Sequence, residues 1–158
     1  MIVLGLDPGI ANFGYGVVQH SGGNVSYLVA GVVKTPADSP TSDRLVTIAA
    51  TLRSVIEEHR PEQVVIERLV PGPQRNLGTV SEARGAALLV IGEAELPYTE
   101  ESPKAVKALT TRHGSATKLQ IRKTIQRLLG MEELPPADAA DALALAILGR
   151  SIPVGNRS

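Results

Sequence analysis

The chain has no cysteine and no tryptophan, and only one Phe and three Tyr in 158 residues. Without cysteine, disulfides and thiolate metal sites are excluded. With aromatics at 3% and hydrophobic residues at 43%, the core has to be built from Val, Leu, Ile and Ala. No apolar run approaches the ~20 residues that a membrane span requires. The apolar opening has no basic leader and carries Asp7 and Pro8, which is not the pattern of a signal peptide, so a soluble, cytoplasmic protein with no membrane partner is expected. Net charge is missing too, since 16 Lys and Arg balance 16 Asp and Glu. The zero conceals a polarity. Ser102 to Met131 holds Lys104, Lys107, Arg112, Lys118, Arg122, Lys123 and Arg127 and no acid, so this segment stands at +7 and the remainder at −7. A positive face can bind a polyanion even when the total is zero, although solvated helix faces would give the same count.

The length suits one domain, expected over residues 1–150 with a frayed tail from 151 to 158. Ile2-Val3-Leu4-Gly5-Leu6 reads as a buried strand that delivers Asp7 and is stopped by Pro8-Gly9. Gly14 to His20 predicts a second strand and Gly22-Gly23-Asn24 a hairpin turn. Val25, Tyr27, Val29, Gly31 and Val33 alternate at period two from Val25 to Lys34, so a third strand is expected. Leu45, Ile48, Ala49, Leu52, Val55 and Ile56 fit one helical face, capped by Thr41, Ser42 or Asp43 and running to about Arg60. Beyond Pro61, Val64-Val65-Ile66 predicts a strand buried on both faces and ending in Glu67. Arg68 to Thr79 reads as a loop, Ser81 to Ala94 as an Ala-rich helix and Leu96 to Thr99 as a short edge strand. Ser102-Pro103 opens a short helix through Leu109. Thr117 caps another whose Ile121, Ile125, Leu128 and Leu129 face inward up to Gly130, and Pro135-Pro136 opens a last one from Ala137 to Leu148.

Four acids finish or interrupt otherwise apolar elements. Asp7 and Glu67 end strands, and Asp138 and Asp141 lie one turn apart on a helix that is otherwise wholly apolar. Bland explanations exist for each: Asp-Pro-Gly is common turn chemistry, Glu67 would be the first solvated residue after its strand, and a first-turn acid gains ~0.3–1 kcal/mol from the helix dipole. Asp141 sits deeper, on a helix apolar enough to pack against a sheet, and is expected to be partly buried. If the four meet, they repel and raise one another's pKa unless cations are present. An all-oxygen ligand set favours Mg²⁺ or Mn²⁺, and two such ions ~3.5–4 Å apart suit hydrolysis of a phosphodiester.

The order of elements, with acids at the first strand, the fourth strand and a late helix, resembles the RNase H-like nuclease fold. That implies an α/β architecture, a five-stranded mixed sheet of an antiparallel three-strand meander plus parallel strands, flanked by helices. The segments GLDPGIANFGYGVV, VVIERL, EARGAALL, HGSATKLQI and PPADAADALALAI resemble the RuvC family of Holliday-junction resolvases over nearly the whole chain. The resemblance implies a structure-selective endonuclease that nicks two opposed strands of a four-way junction, leaving 5′-phosphate and 3′-hydroxyl ends. It implies that Asp7, Glu67, Asp138 and Asp141 are the metal-binding carboxylates, where some relatives have a His at the position of Asp138. It also implies that Lys107 and Lys118 are basic residues near the scissile phosphate. Arg75, Asn76, Lys104, Arg112 and Arg122 are further candidate DNA contacts. Where relatives often carry an aromatic soon after the Glu, this chain has Val70, which leaves Arg75 and Asn76 to contact the junction. A homodimer is implied, with Ser81 to Ala94 as part of its interface or simply of the core, and so is a RuvAB branch-migration partner. The same chemistry would serve an RNA-processing nuclease, and a degenerate binding module would need fewer than the four acids retained here.

Overall fold

The apolar opening forms β1 (Ile2–Asp7), and the Pro8-Gly9 turn returns the chain into β2 (Asn12–Ser21), antiparallel to it. The structure is a computed structural model that describes residues 1–72, 76–110 and 115–149. Gly22 and Gly23, at φ +56° and +85°, make the two-residue turn into β3 (Asn24–Lys34), where positive φ at both positions suits the right-handed twist of a hairpin. The third strand forms as expected, and a bulge interrupts its period-two alternation. Val17 pairs with Val29 but Val18 with Tyr27, so Leu28 is extra and the alternation flips. Val29 and Val33 therefore pack on one side of the sheet and Val25 on the other.

Helix α1 (Thr41–His59) buries Ile48, Ala49, Leu52 and Val55. Its cap is also a correction: Pro40 occupies the N-cap position, and none of Thr41, Ser42 or Asp43 provides a side-chain cap. Arg60, in the left-handed region, closes the helix by donating its N–H to Ile56 O at 2.8 Å. β4 (Gln63–Glu67) then runs parallel to β1, as the helical crossover demands. The expected loop through Thr79 is shorter, because α2 (Leu77–Glu93) begins four residues before Ser81, with Asn76 as its N-cap residue. Gly78 sits within that first turn, where the sequence suggested a loop. β5 (Tyr98–Glu101) starts two residues later than expected, since Pro97 cannot donate to the ladder and offers only its carbonyl, to Val64 N at 2.9 Å.

Helix α3 (Pro103–Ala108) is capped by Ser102, whose hydroxyl accepts from Ala105 N at 3.2 Å. Helix α4 (Lys118–Leu129) has a full capping box between Thr117 and Gln120 and ends on Gly130 in the left-handed region. Ile121 and Ile125 are buried as expected, but Leu128 is 53% exposed. Helix α5 (Ala137–Leu148) is buried on nearly every side.

The sheet order is β3-β2-β1-β4-β5, so β5 and β3 are the edges and β1 and β4 lie side by side at the centre. One core layer packs Leu4, Leu6, Phe13, Val64 and Ile66 under α1 and α2. The other packs Val3, Val18 and Val65 under α3, α4 and α5. This is the five-stranded mixed sheet flanked by helices that the resemblance to the RNase H-like fold implies.

Candidate active site

Because Leu6 pairs with Ile66 in parallel register, the next residues, Asp7 and Glu67, leave the sheet together at its carboxyl edge. In sheets of this kind that edge is where ligands bind. What brings the other two acids to the same edge is a set of missing side chains. A Cβ on Gly5 would lie 1.9 Å from Ala142 O, and one on Gly14 would lie 2.1 Å from Asp138 O. Gly14 is also the residue that pairs with Asp7 across the β1–β2 ladder. The sheet is thus bare where α5 crosses it, and the helix backbone lies almost in contact with the strands. Ala139, Ala140, Ala142 and Ala146 keep the helix side equally thin. Asp138 and Asp141 are thereby held beside Asp7.

The result is an open cleft of about 380 Å³ lined by Asp7, Glu67, Asp138, Asp141, Lys107 and Lys118. Val80, Val106, Ala116 and Ile121 are among its apolar walls. All four acids are half-buried, whereas Lys107 on α3 and Lys118 on α4 are exposed. Burial pushes the Asp7 carboxyl well above its ordinary range, and repulsion from Glu67, Asp141 and Asp138 pushes it further, with Lys118 pulling back. Asp141 is raised to about 6, chiefly by burial and also by Glu67 and Asp138, against the opposing pull of Lys118 and Lys107. The lysines only partly offset the acids.

Among the described residues no three acid or histidine side chains already stand as a ready ligand group. The donor set still fits hard divalent cations: oxygen only, anionic, from three elements, and destabilised as charged groups unless positive charge arrives.

Of the other candidates, Lys104 is exposed on α3 but does not line the cleft. Arg122 is half-buried and donates its Nε to Pro135 O at 2.6 Å, which ties α4 to the approach of α5. Asn76 is exposed at the start of α2, one turn before the cleft residue Val80. Val70 is 43% exposed. Arg75, Arg112 and the tail from 151 lie outside the described residues. Sequence reading missed the apolar walls and the glycines that admit α5. Gly5, Gly14 and Gly16 are visible in the sequence, but a residue without a side chain leaves no trace in a hydropathy pattern.

The sequence model of the family "Crossover junction endodeoxyribonuclease RuvC" matches residues 3–149. The RuvC of Chloroflexus aurantiacus is 40% identical over 149 residues, covering 93% of this chain and 91% of its own length. The structure of T. thermophilus RuvC in complex with a Holliday junction substrate superposes with a TM-score of 0.84 at 37% identity, covering 93% of this chain and 91% of that one. The yeast mitochondrial Holliday junction resolvase Ydc2, at 19% identity and a TM-score of 0.61, shares the fold.

Proposed function

The chain belongs to the RuvC family of crossover junction endodeoxyribonucleases, and on that premise we propose that the cleft of Asp7, Glu67, Asp138 and Asp141 is where it cuts DNA. As a member it is a metal-dependent nuclease that resolves Holliday junctions in recombination and repair by hydrolysing phosphodiester bonds. The observation that carries the assignment of the site is the meeting of all four acids and two lysines in one cleft at the carboxyl edge of the sheet.

The four carboxylates would hold two hard cations, Mg²⁺ or Mn²⁺, which when bound supply the charge that makes water nucleophilic and steadies the leaving 3′ oxygen. The protein's own groups do the rest. Lys107 and Lys118 hold the scissile phosphate and offset the negative charge that grows on its oxygens. The positive end of α4, where Lys118 is the first helical residue, adds to the same field. Burial around Asp7 and Asp141 makes both carboxylates poor at keeping a charge alone and hence ready to exchange a proton for a cation. The basic segment contributes salt-dependent affinity for the phosphates of the arms.

Paired nicks on opposed strands need paired sites, which a two-fold homodimer supplies. An apolar groove of Leu45, Val46, Ala49, Gly85, Ala86 and Leu89 between α1 and α2 supports this, with Val46 66% and Leu89 60% exposed. Dimerisation through this groove takes in part of the Ser81 to Ala94 stretch, while Ala83, Ala87, Val90 and Ile91 of the same helix belong to the core. A RuvAB branch-migration complex is the partner expected from the family. Among the described residues, no helix is long and apolar enough to cross a membrane.

The test offers a synthetic four-way junction, a linear duplex and an RNA–DNA hybrid with Mg²⁺, Mn²⁺ or EDTA. Symmetric nicks in the junction alone, lost in EDTA and in Asp7→Asn with junction binding retained, are expected. Cleavage of the hybrid in place of the junction would overturn the substrate, and undiminished cleavage by Asp7→Asn would overturn the site.

A further inference from the structure

The turn that carries Asp7 out of β1 is tied down from a place the chemistry does not otherwise use. Thr35, the residue after β3, is a buried polar side chain at 7% exposure. Its backbone N–H donates to Ala11 O at 3.1 Å, continuing the β2–β3 ladder by one rung. Its hydroxyl donates to Ile10 O and accepts from Arg44 Nε at 2.8 Å. Arg44 lies in the first turn of α1, so a single side chain joins the β1–β2 turn, the end of β3 and the start of α1. Beneath this tie Ile10, at 8% exposure, is anchored in the core under α1 and α2. The turn is also tight: a Cβ on Gly9 would meet Asn12 O at 2.5 Å.

The hydroxyl has one proton to give, and its direction matters. Arg44 is a donor only, so it fills the oxygen's acceptor side and leaves the Thr35 proton for Ile10 O. Two successive carbonyls of the turn, Ile10 and Ala11, are thus held by one residue, while Pro8 of the same turn lines the cleft. The Asp7 carboxylate is carried by the backbone of this turn, so what fixes the turn fixes where the carboxylate stands.

We propose that Thr35, oriented by Arg44, is a positioning residue that fixes the Asp7 turn so that the Asp7 carboxylate meets its cation in place. The proposal rests on the reading of Asp7 as a metal ligand and adds to it a residue that touches neither metal nor DNA. Partners hydrogen-bonded to a metal ligand typically account for about 10–100-fold in metal affinity or activity, and Thr35, which holds the ligand's turn and not the ligand, belongs at the low end of that range.

The test uses the full chain and Mn²⁺ alone as probe, by calorimetry, together with cleavage, junction binding in EDTA and the melting temperature in EDTA. Thr35→Val keeps the side-chain shape and removes the hydroxyl, and Thr35→Ser restores it. Thr35→Val is expected to bind Mn²⁺ about tenfold or more weakly and to lose cleavage in parallel, with junction binding unchanged and most of the loss recovered in Thr35→Ser. Mn²⁺ affinity equal to that of the unaltered protein, whatever happens to the melting temperature, would reduce Thr35 to a stability role and overturn the proposal. Asp7→Asn measured alongside separates the two levels. If it binds Mn²⁺ undiminished, the metal-ligand reading itself fails; if it loses Mn²⁺ while Thr35→Val does not, the positioning role alone fails. Should Thr35→Val not fold, Arg44→Met serves instead. It is expected to weaken Mn²⁺ binding in the same direction, and an unchanged affinity overturns the proposal.

Discussion

Asp141 and Asp7 hold protons in the folded chain that they would release in the unfolded one. An unfolded Asp titrates near ~3.9. In the fold Asp141 titrates at about 6, and Asp7 is shifted in the same direction. Between these values the folded state binds more protons than the unfolded state, so stability without divalent ions falls as pH rises from about 4 to about 6, and the loss persists above that. At pH 7.5 in EDTA, Asp141→Asn should therefore melt a few °C higher than the unaltered chain while losing cleavage. At pH 4.5 most of that advantage should vanish. Calorimetry at the two pH values decides it: an equal or lower melting temperature at pH 7.5 would remove the buried-charge argument. The same protons compete with cations, so at sub-saturating Mg²⁺ cleavage should climb between pH 5 and 7.

Among the elements, α5 decides whether there is a site at all, and its approach to β1 and β2 decides where Asp138 and Asp141 stand. Gly14→Ala would drive a methyl into the Asp138 carbonyl, and Gly5→Ala one into the Ala142 carbonyl. Both contacts are with backbone, which cannot rotate aside, so each substitution should cost about 1–3 kcal/mol of stability by overpacking. Gly14→Ala should in addition depress cleavage far more than its stability loss explains, because it moves the turn that bears Asp138. Gly92→Ala is the control. It lies in the last turn of α2 with open space around it, where Ala should be neutral to slightly stabilising. Urea unfolding with cleavage assays on all three would separate these effects, and a fully active Gly14→Ala would refute the link between that glycine and the site.

For the whole molecule, the proposed two-fold dimer would present two clefts to one junction. The α1–α2 groove leaves Val46 and Leu89 in water, which is unfavourable for a chain whose other large side chains are mostly covered. If the proposed dimer forms through this groove, Leu89→Asp should sediment as a folded monomer and turn paired cuts into single nicks. An Asp variant that sediments like the unaltered chain would exclude this groove as the contact. Much of this level was legible early: the meander, the crossover and the final helix all follow from apolar period and from proline and glycine punctuation. The bulge at Leu28 was not legible, since a strand's period of two carries no sign of an extra residue until its partner is known.

The sequence by itself determined which segments become strands and helices and that four acids stand at the ends or on the bare faces of apolar ones. Local pattern suffices for this because burial of one face is a property of spacing within a single element. The tertiary structure alone decided that those acids share a cleft with Lys107 and Lys118, that Arg122 turns to the Pro135 carbonyl, and that Thr35 reaches the Asp7 turn. Each of these depends on which buried surface faces which. That choice was made by steric room at glycines and by hydrogen bonds between residues far apart in the chain, to which hydropathy is blind.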